Sequence, residues 1–175
     1  ILEIERSGHW VEYICGAITI VTIIYVMSAR EAGKSKSEAG QIGFRKVLAA
    51  HAFTWIGVQT MFIYMFAYVQ QEMPELDEVA MGKVVSISFL VLNAVGALLP
   101  AFVLEPLARK IGRVRTHTIS IAMMALGYAG IWLISGTQAS VYLLMAVVGI
   151  GWAATISLPF AIMSGQVDQK KMGLY

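Results

Sequence analysis

The side chains best suited to holding a solute lie inside long apolar runs. From His51 to Tyr68, a turn of about 100° per residue places His51, Trp55 and Gln59 on one face of a helix, within roughly 80°. Thr60, Tyr64 and Tyr68 fall on the opposite side. An indole ring stacks on an apolar plane while an amide both donates and accepts, so a Trp-Gln-His face suits a hydroxylated ligand. Two roles stay open for this face. Gln59, Trp55 and Thr54 either meet a ligand or bond neighbouring helices, and Tyr68 also fits an interfacial aromatic belt. His51 lies near one end of its run and is read equally as an interface residue. A second polar stretch runs from Gly149 through Gly151, Trp152, Thr155 and Ser157 to Pro159. Its glycines permit close helix packing, and Pro159 removes a backbone hydrogen bond and favours a kink. This pattern fits either a cavity-lining helix or plain packing. Asn93, in a third run, is read as an interhelical hydrogen-bonding residue.

Several chemistries are missing from these runs. None carries a carboxylate at depth: Glu12 stands near one end of the first run and Glu105 at the end of the third. A proton relay or a hydrolytic pair would need such a group. One cysteine, Cys15, excludes a disulfide framework, and His9, His51 and His117 are too far apart for a local metal motif. No phosphate-cradling glycine loop is present, so neither an enzyme activity nor a cofactor is expected.

Elements that could position these residues follow from hydropathy. Of 175 residues, 58% are hydrophobic and 14% charged, with a mean hydropathy of +0.70. A soluble domain carries about a quarter of its residues as charges. The chain is therefore expected to be an all-α membrane protein. Hydrocarbon about 30 Å thick needs roughly 20 apolar residues as helix. Five segments qualify: Trp10 to Ser28, Val47 to Val69, Val84 to Leu104, Thr118 to Ser135 and Val141 to Met163. They lack the period-2 alternation of barrel strands.

Charge placement orients them. Arg30, Lys34, Lys36, Arg45 and Lys46 follow the first span, Arg109, Lys110, Arg113 and Arg115 the third, and Lys170 and Lys171 the fifth, eleven of thirteen basic residues in all. The other two connections carry Glu72, Glu75, Asp77 and Glu78, or only Ser135 to Ser140. By the positive-inside rule the basic loops are cytoplasmic, with the N-terminus outside and the C-terminus inside the plasma membrane. That topology explains the net charge of +2 without a nucleic-acid partner. The chain begins Ile1-Leu2-Glu3-Ile4 without methionine and is read as part of a longer polypeptide. Residues 29–46 form a polar linker between residues 1–28, the last helix of one bundle, and residues 47–175, the first four helices of another.

The loop Glu105-Pro-Leu-Ala-Arg109-Lys110-Ile111-Gly112-Arg113 resembles the Asp-Arg-x-Gly-Arg loop of major facilitator transporters, between the second and third helices of each half. Arg109 stands where the family acid would be, and Glu105 where its leading glycine would be. Phe53-Thr54-Trp55, Gly151-Trp152-Ala153 running to Leu158-Pro159-Phe160-Ala161, and Lys171-Met172-Gly173 resemble the sucrose-proton symporter branch. The resemblance implies a partial major facilitator fold, with five of an expected twelve transmembrane helices: the sixth helix, the central loop and helices seven to ten. It implies proton symport of a small neutral solute, a sugar, by rocking of two bundles, with the coupling acids in the other half and the missing helices as partners. Candidate solute-binding residues are Trp55, Gln59, Tyr64, Trp152 and Thr155; candidate gating residues are Gly112, Arg113 and Pro159. The altered charge loop and the lack of an intramembrane acid keep open a non-transporting protein of the same fold, a sensor or assembly factor.

Overall fold

A computed structural model describes residues 10–166, without the side chains of Glu12 and Gln166. Lys170 and the stretch Lys171-Met172-Gly173 lie outside the described residues. The described elements are helical: α1 (Trp10–Ser28), α2 (Lys36–Glu72), α3 (Glu78–Leu99), a π-helical turn (Pro100–Leu104), α4 (Glu105–Ile111), α5 (Arg113–Ile134) and α6 (Gln138–Gln166). No strand occurs among the described residues. Backbone amides paired within each helix are what an apolar medium demands.

The helices outrun the apolar segments that mark them. α3, the π turn and α4 form one rod from Glu78 to Ile111, although the apolar run covers only its middle. Asp77 starts the rod by accepting from the Ala80 amide at 2.7 Å, satisfying one of the free N–H groups of a helix end. Pro100 has no N–H, and there the helix widens into its π turn without breaking. α2 likewise begins eleven residues before Val47, so only residues 29–35 of the expected linker lie outside helix. Ser35 and Glu38 form a capping box at its start. Glu38 accepts from the Ser35 amide at 3.0 Å and from its hydroxyl at 2.9 Å, while the Ser35 hydroxyl accepts from the Glu38 amide. Among the described residues, four helical rods are long and apolar enough to cross a membrane; the apolar part of α1, Tyr13–Ser28, is shorter.

The chain divides into two compact units. Ala50–Gly165 form one, and the residues on either side form the other. In the second of these, α1 exposes most of its apolar surface, and Lys46 at the head of α2 pairs with Glu31 at 3.2 Å. In the unit Ala50–Gly165, Val58, Met65 and Val69 of α2 share a core with Val84 and Leu92 of α3, Met124 and Ile131 of α5, and Met145 and Val148 of α6.

Small residues let α6 approach two helices at once. A Cβ on Gly149 would stand 3.1 Å from the Leu92 carbonyl oxygen of α3, and one on Gly151 only 2.8 Å from the Ser120 carbonyl oxygen of α5. Lipid gives no hydrophobic drive for helix association, so such close backbone packing is a principal cohesive term. At the far end of α2, the Tyr68 hydroxyl donates to the Ile131 carbonyl at 2.8 Å and meets the Ser135 hydroxyl, tying α2 to α5.

Candidate aromatic and amide site

Spacing of four along α2 puts His51 and Trp55 on successive turns, and the structure joins them: Trp55 Nε1 donates to His51 Nε2 at 2.9 Å. The rest of the site comes from other helices. Trp152 of α6 meets the Trp55 ring edge to face at 5.6 Å and the Phe62 ring at 5.8 Å. Phe62 in turn packs on Phe89 of α3 at 5.0 Å. Phe160, two turns beyond Trp152, meets the His51 ring at 6.1 Å. Edge-to-face rings at 4.5–7 Å place the positive edge of one over the negative face of the other.

One amide fixes the Trp152 indole. Its Nε1 donates to Asn93 Oδ1 at 3.3 Å, and Asn93 Nδ2 donates to the Phe89 carbonyl at 2.8 Å. Asn93 thus bonds between helices, as expected, yet it remains exposed beside the aromatic cluster. Trp152 is held from behind by Gly96, where a Cβ would stand 2.6 Å from its Cδ1. Gln59, one turn beyond Trp55, is exposed and makes no hydrogen bond among the described residues. The cluster therefore offers ring faces and the Asn93 amide, with Gln59 one turn along α2 from Trp55, and none of these residues is Asp, Glu, Lys or Arg.

Other candidate residues lie elsewhere. Thr155 is fully buried, and its hydroxyl donates to the Gly151 carbonyl at 2.8 Å. Such i−4 bonding satisfies a helical threonine without any ligand. Tyr64 is exposed on the other side of α2, where it lines a groove of about 360 Å³ with Thr60, Met65, Tyr68 and Tyr128. Pro159 is buried within an unbroken α6. Gly112 joins α4 to α5 at φ +92°, a conformation that favours glycine. Arg113, next to it, donates through Nη1 to the Ala161 carbonyl of α6 at 3.0 Å. Arg109, in the place of the family acid, pairs within its own helix with Glu105 at 3.0 Å.

Phe62, Phe89, Asn93 and Phe160 were not among the candidate solute-binding residues. Asn93 carried a signal, being an amide within an apolar span, and Phe160 stands in a stretch that resembles the symporters, whereas Phe89 is unremarkable until the helices are assembled.

The family model of the Major Facilitator Superfamily matches residues 5–175. Neither a curated protein nor a solved structure matches the chain.

Proposed function

Since this chain belongs to the Major Facilitator Superfamily, whose members carry small solutes across lipid bilayers, we propose that its solute is neutral and hydroxylated, a sugar taken up by proton symport. One observation carries this reading: the indoles of Trp55 and Trp152, 5.6 Å apart, stand with the Asn93 amide in a cluster without formal charge, and the free Gln59 amide lies one turn along α2 from Trp55. An anionic solute would call for Arg or Lys at that depth, and a cation for a carboxylate. A sugar ring has apolar C–H faces for the indoles and hydroxyls for the amides. The stretches that resemble those of the sucrose-proton symporters support the same reading. The basic loops would lie in the cytoplasm, and Arg113 with Gly112 would control how α5 moves against the end of α6 as two bundles rock about the site.

The test is uptake of labelled sucrose, maltose and glucose into vesicles bearing the full-length protein, with and without an imposed proton gradient. Gradient-dependent uptake of one of them is expected. Gln59→Leu and Trp55→Ala should reach the membrane normally and weaken apparent affinity about tenfold to a hundredfold, equivalent to roughly 1–3 kcal/mol. Absence of uptake for all three sugars would overturn the reading in favour of a sensor or assembly role.

A further inference from the structure

Both indole N–H groups of the aromatic cluster already have protein acceptors. Trp55 Nε1 donates to His51 Nε2 at 2.9 Å, and Trp152 Nε1 donates to Asn93 Oδ1 at 3.3 Å. A tryptophan side chain has no other polar atom, so these two rings meet a solute through π faces and C–H edges alone. Asn93 has a second anchor, since its Nδ2 donates to the Phe89 carbonyl at 2.8 Å. The bond to Trp55 is the one hydrogen bond that His51 makes among the described residues.

That bond decides the state of the imidazole. For Nε2 to accept, the neutral ring carries its proton on Nδ1, and that Nδ1 is buried without a partner. The opposite tautomer leaves Nδ1 just as unpaired and sets two N–H groups against each other, so it is the worse of the two. Aromatic neighbours hold the ring in place: it stands at 87° to the Trp55 ring at 6.0 Å, and Phe160 of α6 meets it at 6.1 Å. Trp55 gains an orientation in return. The χ2 torsion of an aromatic side chain is broad and roughly two-fold, and a half-turn would carry Nε1 away from His51. The hydrogen bond therefore selects one of two ring orientations, the one that stands at 83° to Trp152.

We infer that His51 is a positioning residue for the solute site. Its Nε2 holds the Trp55 indole with a ring face toward solute and takes the indole N–H out of recognition. Hydrogen bonds to solute hydroxyls then fall to the amides, the second N–H of Asn93 Nδ2 and the side chain of Gln59, which makes no hydrogen bond among the described residues. His51 acts through Trp55 and touches no solute. Its effect on the solute rests on the function proposed above; its hold on the indole does not.

The experiment combines ¹⁵N NMR in lipid nanodiscs with sugar uptake into vesicles, both on the full-length protein. At about pH 8, where an ordinary histidine is uncharged, the wild-type His51 ring should be protonated on Nδ1. A ring protonated on Nε2 overturns the proposal, whichever variants fold. His51→Phe keeps a ring against Phe160 and removes the acceptor, whereas His51→Gln offers an amide oxygen at the same four-residue spacing. His51→Phe should shift the Trp55 Nε1 signal and raise the half-saturating concentration of the transported sugar about fivefold, with the maximal rate unchanged. His51→Gln should restore both signal and half-saturation. In a Trp55→Ala background His51→Phe should add nothing, because the residue it acts through is gone. Unchanged half-saturation in a folded His51→Phe protein, or a cost that adds in full to that of Trp55→Ala, overturns the proposal. Absence of sugar uptake in wild type instead removes the function proposed above, and the tautomer and the Trp55 Nε1 signal still decide whether His51 holds the indole.

Discussion

Gly96→Ala puts the aromatic cluster under a defined load. The new Cβ would stand 2.6 Å from Trp152 Cδ1 and 3.1 Å from Nε1. Carbon atoms settle about 3.5–4.0 Å apart, so the indole must retreat by about 1 Å. Its 3.3 Å bond to Asn93 has no slack and is lost. The contacts with Trp55 and Phe62 loosen as well. A hydrogen bond is worth about 1 kcal/mol and an edge-to-face pair about 0.5–1.5 kcal/mol. With partial loss of the rings, the cluster gives up about 2 kcal/mol. Alanine returns up to about 1 kcal/mol in helix propensity, so overall stability falls by only about 1 kcal/mol. Solute affinity has no such compensation and should weaken about tenfold to thirtyfold. Gly82→Ala in the same helix is the control, since nothing lies within 4 Å of its added Cβ. The readouts are thermal unfolding and the half-saturating sucrose concentration in vesicles. Unchanged half-saturation in a folded Gly96→Ala protein would refute the placing of Trp152 against solute.

Other perturbations act away from the cluster. Arg113→Ala removes the 3.0 Å bond from α5 to the Ala161 carbonyl and should slow transport severalfold with half-saturation unchanged, as initial rates would report. Tyr68→Phe deletes the hydroxyl that links α2 to Ile131 and Ser135; thermal unfolding should register a loss of about 1 kcal/mol with solute affinity intact. Glu38, in the polar stretch ahead of the apolar run, is held below the usual carboxylate range by the Ser35 hydroxyl, then by the Ser35 amide and Lys34. Its cap is complete above the ordinary carboxylate value and is lost as pH falls through the lowered one. Amide exchange in the first turn of α2 should therefore accelerate only in that acidic window.

The sequence made the spanning helices legible because lipid forces a continuous apolar run wherever helix meets hydrocarbon. It set their ends poorly. Lys83 and Glu105 flank the apolar run yet remain helical, so the rod Glu78 to Ile111 exceeds its apolar middle. On α2, the pairing of His51 with Trp55 could be read from a spacing of four. Nothing within α2 marked Phe62 as a partner of Phe89 and Trp152, since that contact depends on how three helices pack. Thr155 is satisfied locally in a way its spacing allows: its hydroxyl closes on the carbonyl four residues back. Asn93 bridges to Trp152, the role an amide within an apolar run suggested, and is also exposed.

The central claim is that a neutral sugar rests against Trp55 and Trp152. Indole ¹⁵N–¹H NMR of the full-length protein in nanodiscs, titrated with sucrose, maltose or glucose, tests it most directly. Trp10 and Trp132, exposed in the structure, serve as internal references. The account predicts that the Trp55 and Trp152 Nε1 signals shift together and saturably with the sugar that is transported, at the concentration that half-saturates uptake, while the references stay fixed. Saturable uptake with both signals unmoved would contradict it.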